Sequence, residues 1–129
     1  MVKVIEAMKK DIITIDAKKD VGEACRIMGE KHIGSIIVTL EGRPCGIFTE
    51  RDLISKVLPN FRNLGEATVG DFMSSPLITI GPDADIKEAA KIMAEMHVRR
   101  LAVFEKGKLV GIFTSSDLVT AVSKSPLEL

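Results

Sequence analysis

The nine residues GIFTERDLI at 46–54 return as GIFTSSDLV at 111–119, 65 positions further on. The match is longer than the phrase. Shifted by 65, the sequence aligns with itself without a gap from Val4 to Leu53, with about two positions in five identical. Met8 meets Met73, and Ile13-Thr14-Ile15 meets Ile78-Thr79-Ile80. Asp20, Glu23, Ala24, Ile27, Met28, Glu30 and His32 meet Asp85, Glu88, Ala89, Ile92, Met93, Glu95 and His97. A register held that long marks a duplication. No other feature constrains the fold as much, because whatever one copy forms the other must form too. Two copies suit a face-to-face pair better than an open solenoid, which wants three or more units.

Each copy parses in the same order. IITI (12–15) and LITI (77–80) predict short strands of β-branched residues. Helices follow from Asp20 and Asp85, N-cap residues with Glu23 and Glu88 at the third position beyond, a capping-box pattern. Val21, Ala24, Cys25 and Met28 make one apolar stripe, as do Ile86, Ala89, Ala90 and Met93. Gly22 and Gly29 weaken the first helix by roughly 1 kcal/mol each relative to Ala. The second copy has Lys87 and Ala94 there, so its helix should be firmer. SIIVTL, a turn at Glu41-Gly42 and PCGIF predict a hairpin, repeated as LAVF, Lys106-Gly107 and LVGIF. Closing helices open at Thr49 and Thr114, and the first ends before Pro59. The expectation is an α+β fold of two βαββα repeats related by a pseudo-two-fold: repeat 1 at 1–58, a linker at 59–67 and repeat 2 at 68–129. One repeat of about 50 residues buries too little to be secure alone.

Composition removes several function classes. Formal net charge is zero, from 18 basic and 18 acidic side chains, which argues against neutralising nucleic-acid phosphates. No apolar run approaches the roughly 20 residues of a membrane span. MVKVIEAMKK is too short and too charged for a signal peptide. Cys25 and Cys45 form no CxxC pair, and two lone thiols fit a reducing, cytoplasmic setting. No Walker loop, GxGxxG or nucleophile–base pattern occurs, so an enzyme is not expected.

The shared Thr-x-x-Asp of the repeated phrase has two readings. In the first, Thr49 and Thr114 cap a helix and Asp52 and Asp117 complete the cap. In the second, the same geometry recognises a nucleotide. A helix N-terminus and a Thr hydroxyl suit phosphate, and a carboxylate one turn on accepts both hydroxyls of a ribose. The two intervening residues face elsewhere and are free to differ.

The element order, the tandem copies, the M…ITI, H-x-x-x-L/I-x-V and GIFT-x-x-D-L patterns together resemble a pair of CBS domains, the Bateman regulatory module. The phrase GIFTERDLI is also similar to one in the CBS insert of inosine monophosphate dehydrogenases. The resemblance covers nearly the whole chain. It implies two clefts shared between repeats, each taking an adenosine-containing ligand such as AMP, ADP or ATP. Carried over residue by residue, the first has Ile47, Thr49 and Asp52, with Leu77, Ile78, Val98, Arg99 and Arg100 opposite. The second has Ile112, Thr114 and Asp117, faced by Ile12, Ile13, Ile33, Gly34 and Ser35. Arg99 and Arg100 offer guanidinium forks to phosphate, which Gly34 and Ser35 do not. The resemblance also implies a homodimer and an effector protein of unknown identity, acted on in trans. The alternative is a dimerisation or scaffold module whose clefts stay empty.

The remaining polar and thiol residues have ordinary readings. His32 and His97 are expected to cap the first helices, with no metal site. Met8, Met28, Met73, Met93 and Met96 are expected in the core. Lys9-Lys10 and Lys18-Lys19 are expected on a solvated surface, and Cys25 buried and inert.

Overall fold

The structure is a computed structural model that describes residues 1–124. Along the first copy the elements run α1 (Val4–Ala7), β1 (Thr14–Asp16), α2 (Val21–Lys31), β2 (Ser35–Leu40), β3 (Arg43–Thr49) and α3 (Glu50–Asp52). A π-helical turn, Leu53–Val57, continues α3, and a 3-10 turn follows at Leu64–Glu66. The second copy gives α4 (Val69–Phe72), β4 (Thr79–Ile80), α5 (Ile86–Met96), β5 (Arg100–Glu105), β6 (Lys108–Thr114) and α6 (Ser115–Lys124). The βαββα order read from the sequence is present twice. Each copy opens with a short helix, α1 or α4, that periodicity did not reveal.

Compact units and sequence copies are not the same stretches of chain. One unit is Ile13–Leu77; the other joins Met1–Ile12 to the chain from Ile78 onward. Each unit therefore holds the body of one copy and the lead-in segment of the other.

In the unit of Ile13–Leu77 the sheet order is β1-β2-β3, with β1 parallel to β2 and β2 antiparallel to β3. The β2–β3 hairpin closes through Glu41 (φ 53°) and Gly42 (φ 78°). Two positive φ values in a two-residue loop match the right-handed strand twist, and glycine takes the second without steric cost. Asp20 caps α2, its carboxylate accepting from Glu23 N at 2.9 Å. Glu23 turns toward Arg26 at 3.8 Å, so the expected capping box is half realised. Ile15, Val21, Ala24, Met28, Ile36, Val38, Phe48 and Val57 form the core, joined by Ala67 and Val69 from the lead-in of the second copy. The stretch expected as a linker thus ends in a 3-10 turn and a buried Ala67.

The other unit repeats this plan. Its sheet order is β4-β5-β6. Val4, Ile80, Ile86, Ala89, Met93, Leu101, Val103 and Phe113 form its core. Val4 comes from α1, anchored by Val4 N to Ala84 O at 2.8 Å and Ile86 N to Val2 O at 3.1 Å. The matching anchors in the first unit are Val69 N to Lys19 O at 2.9 Å and Val21 N to Ala67 O at 2.8 Å.

Each lead-in then runs along the last strand of the hairpin. Ser74 exchanges backbone hydrogen bonds with Ile47 at 2.7 and 2.9 Å, and Lys9 with Ile112 at 2.9 Å both ways. This approach explains the glycine of the repeated phrase. A Cβ on Gly46 would stand 2.9 Å from Ser74 O, and one on Gly111 would stand 2.9 Å from Lys9 O. Both lie well inside ordinary carbon–oxygen contact, so the strand needs glycine there.

Candidate functional site

Each hairpin delivers its last residue, Thr49 or Thr114, to the start of the following helix. In the unit of Ile13–Leu77, Asp52 Oδ2 accepts from Thr49 N at 2.9 Å and from the Thr49 hydroxyl at 3.1 Å. Asp52 N donates back to Thr49 Oγ1 at 3.2 Å. Asp52 Oδ1 points away from the cap. It accepts from the Ser74 hydroxyl at 2.9 Å and pairs with Lys56 Nζ at 2.9 Å. Lys56 reaches it because it lies one turn along the same helix, within the π-helical stretch.

The second motif repeats the cap and changes the rest. Asp117 Oδ2 accepts from Thr114 N at 2.9 Å and the Thr114 hydroxyl at 3.0 Å. Asp117 N donates to Thr114 Oγ1 at 3.3 Å. Asp117 Oδ1 pairs with the ammonium of Lys9. Lys9 occupies the aligned position of Ser74, and Ala121 that of Lys56. One lysine therefore reaches Oδ1 in both units, from unrelated places.

Burial separates these carboxylates from ordinary caps. Among the described residues, Asp52 (3% exposed) and Asp117 (8%) are the buried polar or charged residues. The N-cap residues Asp20 and Asp85 remain partly exposed. A helix cap gains nothing from being removed from water, so burial points to a second role for the motif acids.

The other residues singled out from sequence fall as follows. Ile47, Ile13, Ile33, Ser35 and Leu77 belong to the unit of Ile13–Leu77 with Thr49 and Asp52. Ile12, Ile78, Val98, Arg99, Arg100 and Ile112 belong to the other unit with Thr114 and Asp117. Within the units, Ser35 is registered against Thr49 and Arg100 against Thr114. Gly34 O accepts from Glu50 N at 3.0 Å and Arg99 O from Ser115 N at 2.8 Å, so these residues brace the motif turns.

Three expectations need correction. Lys9 is part of the second motif, not simply a solvated surface residue, because the lead-in carries it to Asp117. Met96 is 52% exposed on the outer face of α5, whereas Met28 and Met93 are buried. Cys25 is only half-buried, although burial does push its thiol pKa up from the ordinary value. Less thiolate means a less reactive cysteine at neutral pH. His32 and His97 do sit at the C-caps of α2 and α5, at φ 55° and 56°. Sequence reasoning missed Ser74, Lys9 and Lys56. The signal for the first two was their place three residues ahead of the strand segment in each copy, aligned with each other.

Two α+β units, each presenting a buried carboxylate at a strand-to-helix turn, define a tandem small-domain module of the regulatory kind. Residues 3–59 and 69–124 match the CBS domain family, and the chain belongs to it as a tandem CBS pair. A solved CBS-domain protein from Burkholderia ambifaria superposes with a TM-score of 0.91 at 28% identity, covering 96% of each chain. An uncharacterised protein of Methanopyrus kandleri is 38% identical over 120 residues, 92% of this chain and 61% of the relative. The inosine-5'-monophosphate dehydrogenase of Korarchaeum cryptofilum is 36% identical over 110 residues, which are 84% of this chain and 22% of the enzyme. That match is therefore confined to a CBS-sized part of the enzyme. The chain spans under two thirds of the length of both of these relatives. No helix among the described residues is long and apolar enough to cross a membrane.

Proposed function

We propose that this CBS pair is a non-catalytic sensor that binds an adenosine nucleotide of the AMP, ADP or ATP type and acts in trans on a partner protein. One observation carries the reading: among the described residues, the Thr-x-x-Asp acids are the buried charged residues, each with one oxygen committed to its helix cap and one directed elsewhere. Asp52 and Asp117 accept the ribose hydroxyls, and Thr49 and Thr114 lie beside them for phosphate. The residues that the family resemblance adds remain part of this proposal: Leu77, Ile78, Val98, Arg99 and Arg100 for Asp52, and Ile12, Ile13, Ile33 and Ser35 for Asp117. Arg99 and Arg100 then make phosphate bind more tightly at Asp52, since charge-assisted hydrogen bonds are roughly twice as strong as neutral ones.

A second copy of the chain is the expected first partner. Ile54 (65% exposed) and Val119 (67%) occupy aligned positions of the two copies and offer apolar surface for it. A dimer at micromolar concentration by light scattering is the expected result, and a clean monomer removes this part.

The scaffold reading keeps one specific support: among the described residues, no buried side-chain nitrogen or oxygen lacks a partner. Thermal melting with AMP, ADP, ATP and S-adenosylmethionine separates the two. A ligand at a hundred times its Kd adds about 2.7 kcal/mol, several degrees for a domain of this size. Calorimetric titration then assigns the sites. Asp52→Ala abolishes the tighter event, and Arg100→Ala weakens it about thirtyfold while sparing adenosine. Asp117→Ala leaves it largely intact. The reverse pattern exchanges the two sites, and no binding to the unaltered protein favours the scaffold.

A further inference from the structure

Lysine reaches Oδ1 of both motif acids, yet no lysine position is shared between the copies: Lys56 aligns with Ala121, and Lys9 with Ser74. A carboxylate this buried needs a compensating positive charge, and with Oδ2 taken by the cap that charge can meet it only at Oδ1. A cation at Oδ1 is therefore a requirement of the site itself. We propose that Lys56 and Lys9 determine ligand specificity, making each motif select a ribonucleoside that carries an anionic group over a neutral one. The proposal rests on the ribose-binding reading of Asp52 and Asp117.

The argument is one of acceptor capacity and mobility. A carboxylate oxygen accepts about two hydrogen bonds. Oδ2 of each acid already accepts two, from the threonine amide and hydroxyl. A diol must take the positions on Oδ1, where the ammonium now sits, joined at Asp52 by the Ser74 hydroxyl, which can rotate aside. The acids cannot yield, with side chains only 4% and 10% exposed and fixed by their caps, whereas Lys56 and Lys9 are 43% and 56% exposed. The lysine is the partner that moves. A neutral nucleoside leaves that ammonium displaced from its carboxylate. A phosphorylated one offers it a new anion on the ligand, and the charge balance of the site is kept.

The test uses the full chain and two probes, AMP and adenosine, titrated calorimetrically. The unaltered protein should favour AMP by roughly tenfold or more. Lys56→Met and Lys9→Met should each narrow this preference at their own motif, with AMP weakened and adenosine tightened because its competitor for Oδ1 is gone. Removing a merely structural ion pair would change AMP and adenosine alike and leave the preference where it was. Lys56→Arg and Lys9→Arg should keep the preference, and Lys56→Gln and Lys9→Gln repeat the test without adding apolar surface. AMP binding with no preference over adenosine, or a preference unchanged in the Met and Gln variants, overturns the role of the lysines and leaves the nucleotide reading standing. Failure of the unaltered protein to bind either probe overturns both.

Discussion

In the unit of Ile13–Leu77 the motif acid is paired from its own helix, by Lys56 four residues on; in the other unit it is paired by Lys9, 108 positions away in sequence. The helices that carry the acids differ as well. After Asp52 the chain widens into the π-helical turn Leu53–Val57, with Leu58 N donating to Leu53 O at 2.9 Å, and stops at Pro59. After Asp117 it continues as the regular α6 to Lys124. The strand, the hairpin turn, the Thr cap and the close glycine are the same. What the two copies hold in common is an arrangement around one carboxylate, and the residue that completes it is free to come from any segment that passes near.

The largest test of this comparison concerns which segments belong together. Two fragments of equal length, 1–65 and 13–77, contain the same first-copy body. The first lacks Ala67 and Val69, which are 1% and 0% exposed in its core, and also Ser74. Fragment 13–77 should show a cooperative melting transition by circular dichroism and 1–65 should show none. If 1–65 melts as sharply, the lead-in is not an integral part of the unit.

Next in size is the glycine of the repeated phrase. Gly46→Ala and Gly111→Ala each place a methyl group 2.9 Å from a backbone carbonyl. Each should cost about 2 kcal/mol in chemical denaturation. Equal losses confirm that both lead-ins press equally on their strands, and a loss at only one of them breaks the symmetry.

The lysine exchange sharpens the comparison further. Lys9→Ser gives the second motif the residue of the first and should cost about 1 kcal/mol, since the ammonium is half exposed. Adding Ala121→Lys, four residues beyond Asp117, supplies the cation from the helix as Lys56 does. The double variant should recover most of the loss. Additive losses would show that the regular α6 cannot do what the π-helical turn does.

The smallest effect lies in the first helices. Gly29 has open space around its missing Cβ, whereas a Cβ on Gly22 would meet Asp20 Oδ1 at 3.0 Å. Gly29→Ala should therefore add about 0.5–1 kcal/mol of stability to the first helix, and Gly22→Ala should add nothing. Matching gains at both positions would show that the Asp20 cap is dispensable.

Much of this was legible in the residues alone. The ungapped copies, the hairpin turns at Gly42 and Gly107 and the caps at Asp20, Thr49 and Asp85 depend on local pattern, and local pattern survives in one dimension. Leu64–Glu66 read as linker because a 3-10 turn has no apolar period to display. Lys9 read as surface because its partner lies 108 residues away, and no spacing rule connects them. Gly46 read only as part of a shared phrase, since the carbonyl that forbids a side chain there belongs to the other copy's lead-in. The candidate site was half legible: the acids announced themselves by repetition, and their cations did not repeat.

The exchange of lead-in segments also bears on descent. A single-copy ancestor that kept this arrangement would complete its core by accepting the arm of a neighbour and offering its own in return. Gene fusion would convert that reciprocal loan between two molecules into a covalent one within a single chain. The arms would then be free to diverge separately, as the serine beside one adopted acid and the lysine beside the other illustrate.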